Sequence, residues 1–90
     1  MKTAEELKGM SISNIASFVW SDWKATSKNG VNNAAKPYLD AMLDLQTVED
    51  KYGLDSGKGI VLYFLSNATS YRGEQAKLVK AELKRRCGAK

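Results

Sequence analysis

A glycine-rich stretch that carries a lysine, from Gly53 to Gly59, is the part of the sequence that most suggests chemistry. A phosphate-binding P-loop needs four residues between its first glycine and the Gly-Lys pair, followed by Ser or Thr. Here three residues intervene, and Gly59 occupies the hydroxyl position. The match fails, so a flexible connection into a capped helix is the favoured interpretation. The alternative is that free N–H groups at the helix start bind an anion with the help of Lys58.

Carboxylates and the cysteine are the other candidates for catalysis. Asp40 and Asp44 lie one helical turn apart, but general acid–base catalysis needs a desolvated carboxyl and both fall on a polar face. We expect Glu49, which falls among apolar positions, to pair with a basic residue or to border a partner surface. The chain has no His and one Cys, Cys87, which lacks the usual activating base. We therefore expect a protein that is not an enzyme and uses no metal or cofactor.

Basic residues are concentrated at the C-terminal end of the chain. From Lys77 to Lys90 the sequence has six basic residues and one acidic residue, a net charge of +5, whereas the other 76 residues carry −1. The candidates for contact with nucleic acid or an acidic protein surface are Lys77, Lys80, Lys84, Arg85 and Arg86. The alternative is that they complement the helix macrodipole and keep the domain in solution. Aromatic residues do not interleave with them, as a single-strand-binding platform requires.

Four further residues are candidates for contact with a partner protein: Phe18, Trp20, Tyr71 and Arg72. Phe18 lies off the inward stripe of the first long helix, and Trp20 lies at its edge. Tyr71 and Arg72 lie at the turn into the last helix. Exposed aromatic and arginine side chains dominate the energetics of many interfaces. Packing against a small core is the simpler interpretation of each.

Helical segments must position these residues. The apolar spacing predicts a helix from about Ser11 to Lys24, capped by Ser11 or Ser13, after a short helical turn at Ala4–Lys8. Residues 26–33 have no apolar periodicity and contain an Asn-Gly pair, so we predict a flexible loop there. A second helix is predicted from Pro37 to about Tyr52, because its apolar residues share one side of the helical wheel.

The third segment, Ser56–Thr69, contains six consecutive apolar residues. Their types suit a strand, but no other segment alternates with period two to pair with it. We therefore predict a central helix that is apolar nearly all round. The fourth helix is predicted over Gly73–Cys87, followed by a frayed tail at residues 88–90. Its inward stripe consists of Ala76, Val79 and Leu83.

These elements predict an all-α fold, a small antiparallel bundle of about four helices around the Ser56–Thr69 helix. We expect one domain over residues 1–90, because the chain is short and its 43% hydrophobic and 27% charged composition is typical of globular proteins. The longest apolar run is far shorter than the roughly 20 residues of a membrane helix. The N-terminus lacks the pattern of a signal peptide. We therefore expect no membrane contact and a cytoplasmic location.

Short strings in the second half carry a resemblance: Tyr52-Gly53, Asp55-Ser56-Gly57-Lys58, Tyr63 to Ala68, Arg72-Gly73-Glu74, and then Lys80, Glu82 and Leu83. In these residues the chain from Pro37 to Leu83 resembles short uncharacterised proteins encoded by tailed phages and prophages. The first 36 residues are not part of the resemblance. It carries over no functional residue, since no activity is assigned to that group. It implies a context in which small proteins commonly bind and alter a host protein.

We therefore expect a phage-type helical interaction protein that binds a host protein and modulates or inhibits it. The alternative is a nucleic-acid-binding accessory protein that uses the basic last helix. A third possibility is a homodimer, because a small core often gains stability by self-association.

Overall fold

Helices make up most of the regular structure. A computed structural model describes residues 2–53 and 55–88 of the chain. In chain order the elements are α1 (Ala4–Lys8), α2 (Ile12–Thr26), α3 (Lys36–Met42), β1 (Lys51–Tyr52), β2 (Asp55–Ser56), α4 (Gly57–Asn67) and α5 (Glu74–Arg86). The two short strands pair antiparallel. The mostly helical character predicted from the sequence is confirmed.

The two N-terminal helices begin where the sequence predicts. Ser11 Oγ accepts a hydrogen bond from the Asn14 N–H at 3.1 Å, so Ser11 is the N-cap of α2. In α1, Thr3 and Glu6 form a reciprocal capping box, and the helix ends at Gly9. The apolar spacing that predicts α2 comes from residues that are all buried: Ile12, Ile15, Ala16, Val19 and Trp23. Local caps and periodicity therefore determine this part of the fold.

The second predicted helix is much shorter than expected. Helix α3 ends at Met42, and turns and bends lead from there to β1. The Asp50 carboxylate accepts hydrogen bonds from the backbone N–H groups of Gln46 (2.8 Å) and Thr47 (3.3 Å). A side chain that binds backbone donors in this way competes with helix formation. The prediction of one continuous helix over residues 37–52 is therefore wrong.

The start of α4 packs closely against this turn. The Gly57 N–H donates to the Asp50 carbonyl at 2.6 Å, and Ser56 Oγ caps the helix by accepting from the Gly59 N–H at 3.0 Å. A Cβ atom on Gly57 would lie 2.7 Å from the Asp50 carbonyl oxygen. The close approach of two backbone segments therefore requires glycine here.

Helix α4 is buried on one side only. Ile60, Val61 and Phe64 lie in the core, whereas Leu62 is 39% exposed and Tyr63 is 60% exposed. The helix itself forms over nearly the predicted span. Its apolar residues nevertheless do not all face the core, so a helix that is apolar nearly all round is not buried all round.

Helix α5 follows the prediction closely and also buries two polar side chains. Its predicted inward stripe is buried, as are Gln75 and Glu82. The Gln75 amide binds the N-terminal segment, because its Oε1 accepts from the Lys2 N–H at 2.6 Å and its Nε2 donates to the Lys2 carbonyl at 3.0 Å. Of the predicted frayed tail, Gly88 lies in a turn, and residues 89–90 fall outside the described residues.

An aromatic cluster links the helices in the core. The Trp23 ring stacks on Tyr71 with 5.2 Å between centroids and meets the edge of Phe64 at 6.3 Å. Helix α1 packs on α5, and α3 packs on both α2 and α4. Val31, in the loop predicted to be flexible, is buried in the same core. Among the described residues, no helix combines the length and apolar character needed to cross a membrane.

Candidate protein-binding surface

An apolar groove lies between α3 and α4. Its volume is about 490 Å³, within the range of sites that hold small ligands or several side chains. The residues that line it are Pro37, Tyr38, Ala41, Asp55, Ile60 and Tyr63. Asp55 contributes the one charged side chain of this lining. We call this feature the α3–α4 groove.

Two stacked tyrosines form one wall of the groove. The rings of Tyr38 and Tyr63 are 5.4 Å apart between centroids, with 27° between their planes. Tyr38 is half-buried and packs against the core, whereas Tyr63 remains 60% exposed. A ring held by stacking loses little conformational entropy when a partner binds to it. The arrangement can therefore present aromatic surface to another protein at low entropic cost.

Helix geometry explains why these side chains meet. Tyr38 and Ala41 are three residues apart on α3, and Ile60 and Tyr63 are three residues apart on α4, so each pair lies on one face of its helix. The two helices pack against each other and bring the faces together. The sequence did not predict this site, because Tyr38 lies on the apolar side of the predicted second helix and Tyr63 lies within the predicted central helix. The sequence feature that could have indicated the site is the apolar run from Ile60 to Leu65, because six consecutive apolar residues cover more of a helix than one buried face.

The predicted partner-binding residues on α2 pack inward. Phe18 and Trp20 are both half-buried and contact the core. The Trp20 Nε1 atom is buried and has no hydrogen-bond partner within the described part of the chain. This geometry favours packing for both residues, and a role in binding stays a prediction.

Tyr71 and Arg72 have different environments although they are adjacent. Tyr71 is 1% exposed, and its hydroxyl donates to Asp22 Oδ2 at 2.8 Å. It is therefore a core residue, and the interpretation of Tyr71 as an exposed anchor is wrong. Arg72 is exposed, and its Nε donates to the Thr69 carbonyl at 3.2 Å.

The lysines of α5 are not equivalent. Lys77 and Lys84 are exposed, whereas Lys80 is half-buried. Lys80 Nζ donates to the Tyr71 carbonyl at 2.6 Å and lies 5.9 Å from the centroid of the Tyr71 ring. Burial, together with the neighbouring charges of Lys84 and Arg72, lowers the pKa of Lys80. Lys80, Lys84 and Arg72 are therefore close together, but the Lys80 ammonium group is already hydrogen-bonded to the Tyr71 carbonyl.

The two arginines of α5 bind the buried Glu82. The distance to Glu82 Oε2 is 2.6 Å both from an Arg85 terminal nitrogen and from Arg86 Nε. Arg86 also donates to the Leu7 carbonyl at 2.7 Å, which connects α5 to α1. Hydrogen bonds from Arg85, then from Arg86, lower the pKa of Glu82. Arg86 is thus a structural residue more than a surface charge.

The buried acid of this fold is Glu82, and the sequence pointed to Glu49 instead. Glu49 is exposed and forms no ion pair within residues 2–53 and 55–88. Its predicted position among apolar residues depended on a continuous helix over 37–52, which does not form. The expected pairing of Glu49 is therefore wrong.

The start of α4 does not offer free donors to an anion. Three N–H groups at this end have acceptors within the chain: Gly57 donates to Asp50 O at 2.6 Å, Lys58 to Val48 O at 2.9 Å, and Gly59 to Ser56 Oγ at 3.0 Å. Anion binding at a helix start depends on unpaired N–H groups. The alternative of an anion site beside Lys58 is therefore contradicted.

Cys87 lies inside the fold. It is buried at the end of α5, and burial raises the pKa of its thiol. A raised pKa reduces the thiolate fraction, which is the reactive form. The described residues contain no group of three His, Cys, Asp or Glu side chains placed to hold a metal ion.

Comparison of the chain with known protein families, with curated proteins and with solved structures gives no match. Function is therefore inferred from the geometry of the molecule. Its main features are the α3–α4 groove and the division of the basic residues between surface and structural positions.

Proposed function

We propose that this chain is a small phage-type helical interaction protein, which binds a host protein in the cytoplasm and modulates or inhibits it. The observation that carries the proposal is the Tyr38–Tyr63 stack in the α3–α4 groove, in which the Tyr63 ring is exposed. Tyrosines placed in apolar surroundings are typical anchors of protein interfaces. The groove thus supplies an exposed aromatic anchor. Among the candidates from the sequence, Phe18 and Trp20 are half-buried and Tyr71 is buried, so they do not form such a site.

The shifted pKa values of the core support a binding protein in preference to a catalyst. The Glu82 carboxylate is paired with Arg85 and Arg86, and Lys80 donates a hydrogen bond to the Tyr71 carbonyl. Tyr71 is buried against Trp23 and bonded to Asp22. Burial is the largest cause of the shifts in the pKa of Tyr71 and of Lys80, and the hydrogen bond from Arg85 is the largest cause for the pKa of Glu82, so packing and ion pairing account for the shifts. None of these residues lines the α3–α4 groove.

The antiparallel bundle around α4 belongs to the same proposal. Helix α4 contacts α3 and α5, which supports a central position for it. In such a bundle the exposed side of α4 would form part of the binding surface, because Tyr63 projects from it.

The decisive experiment is a quantitative pull-down from bacterial lysate with matched variants. Tyr63→Ala removes the exposed anchor, and Leu43→Ala removes an apolar side chain that is 38% exposed and lies outside the groove lining. We expect one host protein to be retained by the wild type and by Leu43→Ala and to be lost with Tyr63→Ala. Retention of the same protein by Tyr63→Ala would contradict the proposal. Sedimentation of each variant checks whether self-association as a homodimer changes in parallel.

Nucleic-acid binding is the second candidate, and the cluster of cations around Lys80 favours it. Lys77, Lys84 and Arg72 are exposed, whereas Arg85 and Arg86 are bound to Glu82. Titration with a duplex and a single strand at low salt tests this function. If it holds, Lys77→Ala/Lys84→Ala weakens binding and makes the salt dependence shallower. No affinity at low salt, or affinity unchanged in that variant, excludes it.

A further inference from the structure

We infer that the α3–α4 groove binds a partner segment in which an arginine is flanked by apolar residues. This inference depends on the proposed protein-binding function and adds the chemistry of the partner. The groove combines apolar walls, an exposed aromatic face and one carboxylate, that of Asp55. An arginine between apolar neighbours is complementary to all three.

The segment that contributes most of the groove lining carries a charge opposite to that of the whole chain. The protein carries a net charge of +4, but the segment from Pro37 to Asp55 contains five acidic residues and one basic residue. This segment contributes Pro37, Tyr38, Ala41 and Asp55 to the groove lining. A cationic partner is therefore attracted to this side of the molecule, whereas an anionic one is attracted to α5.

The aromatic wall selects arginine more strongly than lysine. A guanidinium group is planar and weakly hydrated, so it stacks on an aromatic face while its N–H groups bind a carboxylate. Tyr63 has the exposed ring for such stacking, and Asp55 has the carboxylate. Pro37, Ala41 and Ile60 then supply apolar surface for the residues on either side of the arginine. An ammonium group makes the ion pair but not the planar stack.

A second copy of this chain does not offer the required segment among its described residues. Arg85 and Arg86 are held by Glu82. Arg72 is exposed, but its neighbours are the buried Tyr71 and Gly73, which has no side chain. The occupant is therefore a different protein.

The test is an NMR titration of the ¹⁵N-labelled full chain with two blocked tripeptides. One is leucine–arginine–leucine, and the other replaces arginine with citrulline, which keeps the shape and loses the charge. We expect the arginine peptide to shift the Tyr38, Asp55 and Tyr63 signals. Because an exposed ion pair and a cation–π contact are each modest, we expect the citrulline peptide to bind about fivefold more weakly.

Matched variants separate the contributions. Asp55→Asn should weaken binding of the arginine peptide about two- to fivefold and leave citrulline binding unchanged. Glu74→Gln removes the same charge from an exposed position outside both the acidic segment from Pro37 to Asp55 and the groove lining, and it should change neither. The inference would be overturned if the two peptides bound equally well or if the shifted signals mapped away from the groove. It would also be overturned if the groove signals shifted only with protein concentration and not with added peptide. If Tyr63→Ala still abolishes host-protein capture in that case, the proposed function stands and only the arginine chemistry fails.

Discussion

The Tyr71 hydroxyl donates a hydrogen bond to Asp22 Oδ2 at 2.8 Å, across 49 positions of sequence. The Tyr71 ring stacks on Trp23, the residue after Asp22, so α2 holds both ends of this side chain. Burial, followed by the bond to Asp22, raises the pKa of Tyr71 well above its ordinary value. This one contact fixes the segment that leads into α5 and therefore has consequences for stability.

Replacement of Tyr71 by phenylalanine should lower the free energy of unfolding by about 1–2 kcal/mol, because the ring packing remains while the Asp22 carboxylate loses its donor. Urea unfolding followed by circular dichroism measures this change. Tyr63→Phe removes a hydroxyl from an exposed ring, and we expect it to change stability by less than about 0.5 kcal/mol. Equal losses in the two variants would contradict the structural role of the bond.

The stability of the protein should fall above pH 10 in a way that depends on Tyr71. Tyr71 in the unfolded chain loses its proton near the ordinary pKa of 10.0, whereas in the folded protein the raised pKa keeps the proton bound. The contribution of Tyr71 is therefore complete below pH 10 and is lost as the pH rises further. A single such group changes the unfolding free energy by up to about 1.4 kcal/mol per pH unit. Unfolding between pH 9 and pH 11 should show a shallower decline for Tyr71→Phe, and parallel declines would contradict this.

Local signals predict most of the helices, and a longer-range contact explains the main error. Ser11, one of the two predicted caps, caps α2, and Ser56 caps α4, because capping needs only the next three residues. The end of α3 depends on Asp50, which reaches back to bind the N–H groups of Gln46 and Thr47. The spacing of apolar residues carries no information on these side-chain hydrogen bonds, which compete with helix formation. The sequence alone therefore predicts a helix that is too long.

The candidate site was less predictable than the fold. Aromatic residues such as Tyr63 and Tyr71 have the same chemistry in the sequence, yet one is 60% exposed and the other 1% exposed. The difference arises from which helices pack together, and no local pattern specifies that. The same holds for charge, since Arg86 was expected at the surface and instead donates to the Leu7 carbonyl of α1.

Arg86→Ala should destabilise the protein much more than Arg85→Ala. Both arginines bind Glu82, but the Arg86 side chain is 15% exposed and the Arg85 side chain is 58% exposed. Loss of Arg86 also removes its hydrogen bonds to the Leu7 and Lys8 carbonyls, which connect α5 to α1. We expect a loss of about 2–3 kcal/mol for Arg86→Ala and a clearly smaller loss for Arg85→Ala, measured by chemical unfolding. A larger loss of stability for Arg85→Ala than for Arg86→Ala would show that α1 does not depend on the hydrogen bonds of Arg86.

Acid should weaken the fold through Glu82. Its pKa in the folded protein is lowered from 4.5 by Arg85 and Arg86. For a carboxyl with a lowered folded pKa, the stabilisation is complete above the unfolded pKa and is lost as the pH falls through the folded value. The melting temperature of the wild type should therefore decrease below pH 4.5, with a shallower decrease in Glu82→Gln. Glu49→Gln, at an exposed position, should keep the wild-type profile.

Gly57→Ala should be among the most damaging single-methyl substitutions. The added Cβ would lie 2.7 Å from the Asp50 carbonyl oxygen and 3.0 Å from that of Thr47, and both are backbone atoms that cannot move alone. We expect a loss of about 1–3 kcal/mol from overpacking, in spite of the higher helix propensity of alanine. Gly59→Ala is the matched control, because its Cβ meets only the Ser56 hydroxyl at 3.1 Å and its stability should change by less than about 1 kcal/mol. Thermal unfolding of the two variants measures this difference. Similar unfolding midpoints for Gly57→Ala and Gly59→Ala would mean that the turn before α4 shifts to accommodate the methyl group.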